Sequence, residues 1–104
     1  MNPRVAIDKN RISAFCRKWG ISEFSLFGSV LRDDFGPDSD VDVLVRFREG
    51  AHWGLVDVCR MEEELRDIFG RDVDLVTRKS VERSANYIRR RNVLEHMEVV
   101  HAEG

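Results

Sequence analysis

Phe27-Gly28-Ser29-Val30-Leu31-Arg32-Asp33-Asp34-Phe35-Gly36-Pro37-Asp38-Ser39-Asp40-Val41-Asp42-Val43-Leu44-Val45 is the stretch that decides the fold. Its second half alternates: Val41, Val43, Val45 and the following Phe47 recur every second residue, which predicts a strand with one apolar face. Asp40 and Asp42 fall on the opposite face, roughly 6–7 Å apart along the backbone. Upstream, the short aromatic run Glu23-Phe24-Ser25-Leu26-Phe27 predicts another strand that runs straight into Gly28-Ser29. Gly36-Pro37-Asp38 is a turn signal between the two. The link is too short for a full crossover helix, which leaves an antiparallel pairing of the two strands open.

Outside this stretch the pattern alternates helix and strand. Ile12, Phe15, Cys16 and Trp19 form one helical stripe, with Asp8 placed to cap its start and Gly20 its end. A second helix is expected over Gly54 to Phe69, with Leu55, Val58, Met61, Leu65 and Ile68 on one side and Glu62-Glu63-Glu64 mostly off it. Asp72-Val73-Asp74-Leu75-Val76 predicts a third strand and Val81 to about Leu94 a third helix. The tail from Glu95 reads equally as helix end or short strand. The order α-β-(short α)-β-α-β-α implies an α/β (α+β) domain, a mixed sheet flanked by helices.

Composition narrows the function. Lys and Arg number 17 against 19 Asp and Glu in 104 residues, a net charge of −2. A dedicated nucleic-acid module is usually basic, so nucleic acid is disfavoured as a partner. At this length about two-thirds of the chain's surface can be buried, enough for one domain over residues 1–104 without disulfide or zinc. No apolar run approaches a membrane span and no secretory leader is apparent. Cys16 and Cys59 have no metal-ligand spacing and read as small core hydrophobes in a reducing cytoplasm.

The chemistry sits in the carboxylates. Asp40 and Asp42 together on one strand face repel unless a cation intervenes, and hard oxygen ligands suit Mg²⁺. Asp74, mid-strand between Val73 and Leu75, is a third acid where a charge is unfavourable without solvent or a ligand. Taken singly, each is a turn or solvent-facing aspartate; taken together they suggest a metal cage, and a paired-metal site can clamp both oxygens of a phosphoryl displacement. Glycine permits close backbone approach, and N–H groups at a helix start favour phosphate, which suits Gly28-Ser29. Gly-Ser, ten residues, then Asp-x-Asp should occur by chance in a chain this long on the order of once in 1,000.

These residues resemble the DNA polymerase beta-like nucleotidyltransferase superfamily, and most closely its minimal nucleotidyltransferase (MNT) antitoxins. The resemblance rests on Leu26-Phe27-Gly28-Ser29, Arg32, Ser39-Asp40-Val41-Asp42-Val43-Leu44-Val45 and Val73-Asp74-Leu75-Val76. It implies the nucleotidyltransferase fold, Asp40, Asp42 and Asp74 as catalytic metal ligands, and Gly28, Ser29, Arg32 and Ser39 at the nucleotide. It also implies Mg²⁺ as cofactor in a two-metal site and ATP as substrate. MNT proteins pair with HEPN-domain toxins, and some transfer AMP to a toxin tyrosine; a HEPN toxin is accordingly the expected partner and acceptor.

Where the family shows a small residue, Arg, then Gly, this chain has Leu31-Arg32-Asp33. That departure leaves open a non-catalytic antitoxin acting by occlusion; transfer to RNA or a small molecule is a third reading. Arg32 is placed either on a phosphate or in a pair with Asp33, Asp34 or Asp38. Arg89-Arg90-Arg91 reads as a solvated or partner-facing helix face rather than a nucleic-acid contact. His52, His96 and His101 lack ligand spacing, and Trp53 and Tyr87 read as packing or interface residues.

Overall fold

In the computed structural model, residues 7–31, 36, 39–83 and 85–102 are described, with backbone only for Ser29, Tyr87 and Arg89. Helix α1 covers Lys9–Trp19, strand β1 Ile21–Phe27, a 3-10 turn Gly28–Leu31 and strand β2 Val41–Phe47. Helix α2 (Leu55–Phe69), strand β3 (Val73–Thr77), the short helix α3 (Arg78–Glu82), helix α4 (Tyr87–His96) and strand β4 (Glu98–Ala102) follow. Arg32, Asp33, Asp34, Pro37 and Asp38 lie outside the described residues.

The four strands form one mixed sheet in the order β3-β2-β1-β4. β1 is antiparallel to β2, the pairing its short link allows, and antiparallel to β4. β2 and β3 are parallel, joined by α2 as the crossover. The valines of β2 enter the main core with Ile12, Phe15, Cys16 and Trp19 of α1 and Met61 and Leu65 of α2. Phe24 is fully buried there, edge-on to Phe15 at 6.2 Å and stacked on Phe69 at 6.4 Å. The opposite sheet face carries a smaller cluster of Phe27, Leu44, Val81 and Val93, covered by α3 and α4. Asp42 and Asp74, alternating with Leu44 and Val76, belong to this second face.

Local chemistry fixes the ends as expected. Asp8 Oδ1 accepts from Arg11 N at 3.1 Å to cap α1, and Gly20 closes it at φ +65°. Glu62 and Glu64 do more than face solvent. Glu64 accepts from Lys18 Nζ at 2.9 Å and Trp19 Nε1 at 3.1 Å, tying α1 to α2; Glu62 accepts from Leu75 N of β3 at 3.4 Å.

Three expectations are revised and one open alternative is resolved. The third helix is two: α3 ends at Glu82, α4 begins at Tyr87, and Asn86 O accepts from Arg90 N at 3.0 Å. Asn86, whose carbonyl accepts at the start of α4, is why, since Asn favours turns and caps over helix interiors. The ambiguous tail is β4, whose pairing with the central strand β1 supplies the stabilisation its own sequence lacks. Cys59 is exposed rather than core, and Leu55 is 81% exposed because burial on α2 begins only at its second turn. Among the described residues no helix is long and apolar enough to cross a membrane.

Ser25 of β1 is fully buried, and its Oγ has no hydrogen-bond partner among the described residues. An unsatisfied buried hydroxyl costs about 1–3 kcal/mol. Ser25→Ala is therefore expected to raise stability by about 1 kcal/mol in a urea titration, with an unchanged slope.

Candidate functional site: a carboxylate row beside Gly28

Sheet register builds the site. β1 ends at Phe27, which pairs with Asp42 on β2, and Asp42 pairs with Asp74 on β3. Neighbouring strands lie about 4.8 Å apart, so two carboxylate residues stand side by side on one face with the Gly28 turn at the end of the same row. Asp42 is half-buried; Asp74 is exposed at the sheet edge. Asp40 is exposed one residue before β2 begins.

Gly28 has φ +75°, a left-handed backbone that favours glycine. A Cβ built on it would collide with Asp42 Oδ2 and lie 3.2 Å from Asp42 Cγ. The glycine is thus required twice, for its own conformation and for the room it leaves the carboxylate. Its spacing before Asp-x-Asp is what a hairpin bringing the turn against the second strand produces.

The remaining expected residues are placed as follows. Ser29 contributes backbone to the 3-10 turn. Ser39 Oγ accepts from Gly36 N at 3.1 Å and Ser39 N donates to Gly36 O at 3.1 Å, closing the turn before Asp40. Arg71, which drew no attention as a sequence, donates from Nη1 to Gly36 O at 2.6 Å and Ser39 O at 3.1 Å. A lone arginine before a strand carries no pattern that would have marked it.

A groove of about 940 Å³ opens beside the row, lined by Phe27, Gly28 and Leu31 on one side and Ile88, Asn92 and His96 on the other. Its far wall is α4, again without a readable motif. At the opposite end of the strands a second groove of about 730 Å³ collects Arg46, Arg48, Arg78 and Lys79. Arg78 is tied there to Glu23 at 3.0 Å and Glu82 at 3.1 Å.

Among the described residues no group of three His, Cys, Asp or Glu side chains is near enough to hold a metal ion. Asp42 and Asp74 stand side by side across the strands, and Asp40 lies two residues before Asp42, just outside β2. Their chemistry nevertheless fits a hard divalent cation, since all three are carboxylate oxygen donors.

Comparison with known proteins agrees with this geometry. The nucleotidyltransferase domain family matches residues 9–100. A Methanocaldococcus jannaschii protein, provisionally named a protein adenylyltransferase, is 37% identical over 73 residues, 70% of this chain and 76% of its own length. The protein adenylyltransferase MntA of Thermococcus cleftensis is 39% identical over 64 residues, 62% of this chain and 63% of its own. A toxin–antitoxin crystal structure with AMP-PNP superposes with a TM-score of 0.70 at 20% identity, covering 93% of this chain and 75% of that one. A tri-AMPylated Shewanella oneidensis HEPN toxin in complex with MNT antitoxin matches with a TM-score of 0.61 at 22% identity, covering 91% and 70%. At those identities the two structures bear on the fold alone, and the mixed sheet with its flanking helices is the one they share. With a strand-paired Asp42 and Asp74, a glycine turn packed on Asp42 and a family match spanning nearly its whole length, the chain belongs to the nucleotidyltransferase domain family.

Proposed function

We propose that residues 1–104 act as one Mg²⁺-dependent nucleotidyltransferase domain, an antitoxin that transfers AMP from ATP to a hydroxyl, a tyrosine by preference, of a partner HEPN toxin. The observation that carries this reading is the Asp42–Asp74 register pair with Gly28 held against Asp42. The relatives' names as protein adenylyltransferases and the toxin–antitoxin structures support the acceptor and the nucleotide.

In this reading Asp40, Asp42 and Asp74 hold the metal, and bound Mg²⁺ would supply charge neutralisation at the attacking and leaving oxygens. Gly28 and Ser29 offer backbone N–H groups to the triphosphate, and Gly28 adds no side chain of its own. Ser39 and Arg32 complete the nucleotide contacts. Asp74, at the exposed sheet edge, orients the acceptor hydroxyl and takes its proton. The acceptor oxygen bonds to the α-phosphorus as the bond to the β-phosphate breaks, and pyrophosphate leaves. The groove between Gly28 and α4 is open for the nucleotide or the incoming side chain. ATP as the substrate and two cysteines outside any disulfide support a cytoplasmic reading.

Incubation of the chain with its toxin, Mg²⁺ and ATP, followed by intact mass, tests this. A toxin gain of about 329 Da per transfer, one AMP unit, is expected. An unmodified toxin that is still bound and silenced would identify a binding antitoxin instead, the reading suggested by Leu31-Arg32-Asp33.

A further inference from the structure

Asp40 lies outside the regular strand, yet its backbone is gripped on both sides by two consecutive residues. The carbonyl before it, Ser39 O, accepts from Arg71 Nη1 at 3.1 Å. The amide after it, Val41 N, donates to Asp72 O at 2.9 Å. The same Arg71 nitrogen reaches Gly36 O at 2.6 Å, and Gly36 and Ser39 close their turn with two mutual hydrogen bonds of 3.1 Å. Arg71 is half-buried and stands three residues before Asp74 on the chain entering β3.

We infer that Arg71 is a positioning residue for the carboxylate row: its guanidinium clamps the Gly36–Ser39 turn to the start of β3 and so sets where Asp40 stands relative to Asp74. Asp42 and Asp74 are fixed to each other by strand pairing; Asp40, one residue beyond that pairing, is not. The clamp replaces the missing ladder. A cation suits this job because charge-assisted hydrogen bonds to carbonyls are stronger than neutral ones. Arginine also offers two N–H groups from one nitrogen, one for each carbonyl. Arg71 thereby acts through Asp40, as outer partners of metal ligands do, and removing such partners typically lowers metal affinity about 10–100-fold.

The inference rests on the metal-dependent reading above, and the test separates the two. Mn²⁺ binding to the isolated chain is measured by water-proton relaxation, and amide exchange at residues 39–41 is followed alongside. Arg71→Met is expected to weaken Mn²⁺ about tenfold and to lose protection at the Val41 amide. Arg71→Lys, which keeps the charge but not the planar fork, is expected to be intermediate on both. Arg66→Met is the control, since Arg66 pairs with exposed Asp72 at 3.3 Å and removes the same charge nearby without touching the turn; it should leave both unchanged. Wild-type Mn²⁺ affinity in a folded Arg71→Met protein, or an equal loss in Arg66→Met, overturns the assignment. If the wild-type chain binds no Mn²⁺, the metal reading fails and exchange decides the clamp: retained Val41 protection in Arg71→Met refutes it. Should Arg71→Met not fold, the Arg71→Lys comparison carries the same outcomes.

Discussion

Asp42→Asn is expected to cut AMP transfer about a thousandfold, equivalent to ~4 kcal/mol of transition-state stabilisation. The amide has the size of the carboxylate, so the packing against Gly28 and the pairing with Phe27 and Asp74 survive. What it loses is charge, and with it the hold on a divalent cation. Asp42 is the half-buried, central member of the row, so no second carboxylate on the same strand position replaces it. Intact mass of the partner reads the transfer, and thermal unfolding followed by circular dichroism reads the fold. Wild-type transfer in this variant would remove Asp42 from the chemistry.

Gly28→Ala should be nearly as damaging, by a different physical route. The methyl must enter a left-handed backbone at about 1–2 kcal/mol. It must also displace the Asp42 carboxylate, because the position its Cβ would take is already filled by Oδ2. Moving a reacting group by about 1 Å can cost on the order of 100-fold in rate. The expected result is a fall in transfer of that size beside a melting temperature lower by about 4–8 °C per kcal/mol for a domain this small. Gly70→Ala is the matched comparison. Its φ is +70° but nothing lies within 4 Å of its Cβ, so it should lose stability and keep transfer.

The sequence revealed most where one residue's neighbours along the chain determine its environment. The period-two valines of β2, the stripe of α1 with Asp8 and Gly20 at its ends, and the antiparallel first hairpin all follow from local rules. Asp42 and Asp74 were legible only in combination, with Asp40 and the Gly28-Ser29 turn, since each alone reads as a solvent-facing strand residue. Their exact register, Asp42 opposite Asp74 and Phe27 opposite Asp42, was not, since pairing depends on contacts between distant segments. The same limit hid β4, whose strand character comes from its partner, and Arg71, whose role exists only because the turn folds back onto it. Asn86 shows the reverse error. The break was written locally, but the flanking apolar spacing outweighed it.

The position of β4 bears on how the molecule reaches its shape. β1 is an interior strand whose two neighbours arrive from very different distances: β2 begins 14 residues after β1 ends, and β4 begins 71 after it. Closing the longer loop costs more chain entropy, so the β1–β2 hairpin with α1 is expected to gain amide protection before β4 docks, an order that pulse-labelled exchange reads. Until that step one edge of β1 stays unpaired, a template for strand exchange with another chain. Gly28 and Asp42 belong to that hairpin, whereas Asp74 joins them only when β3 pairs with β2, and α4 and the groove wall follow.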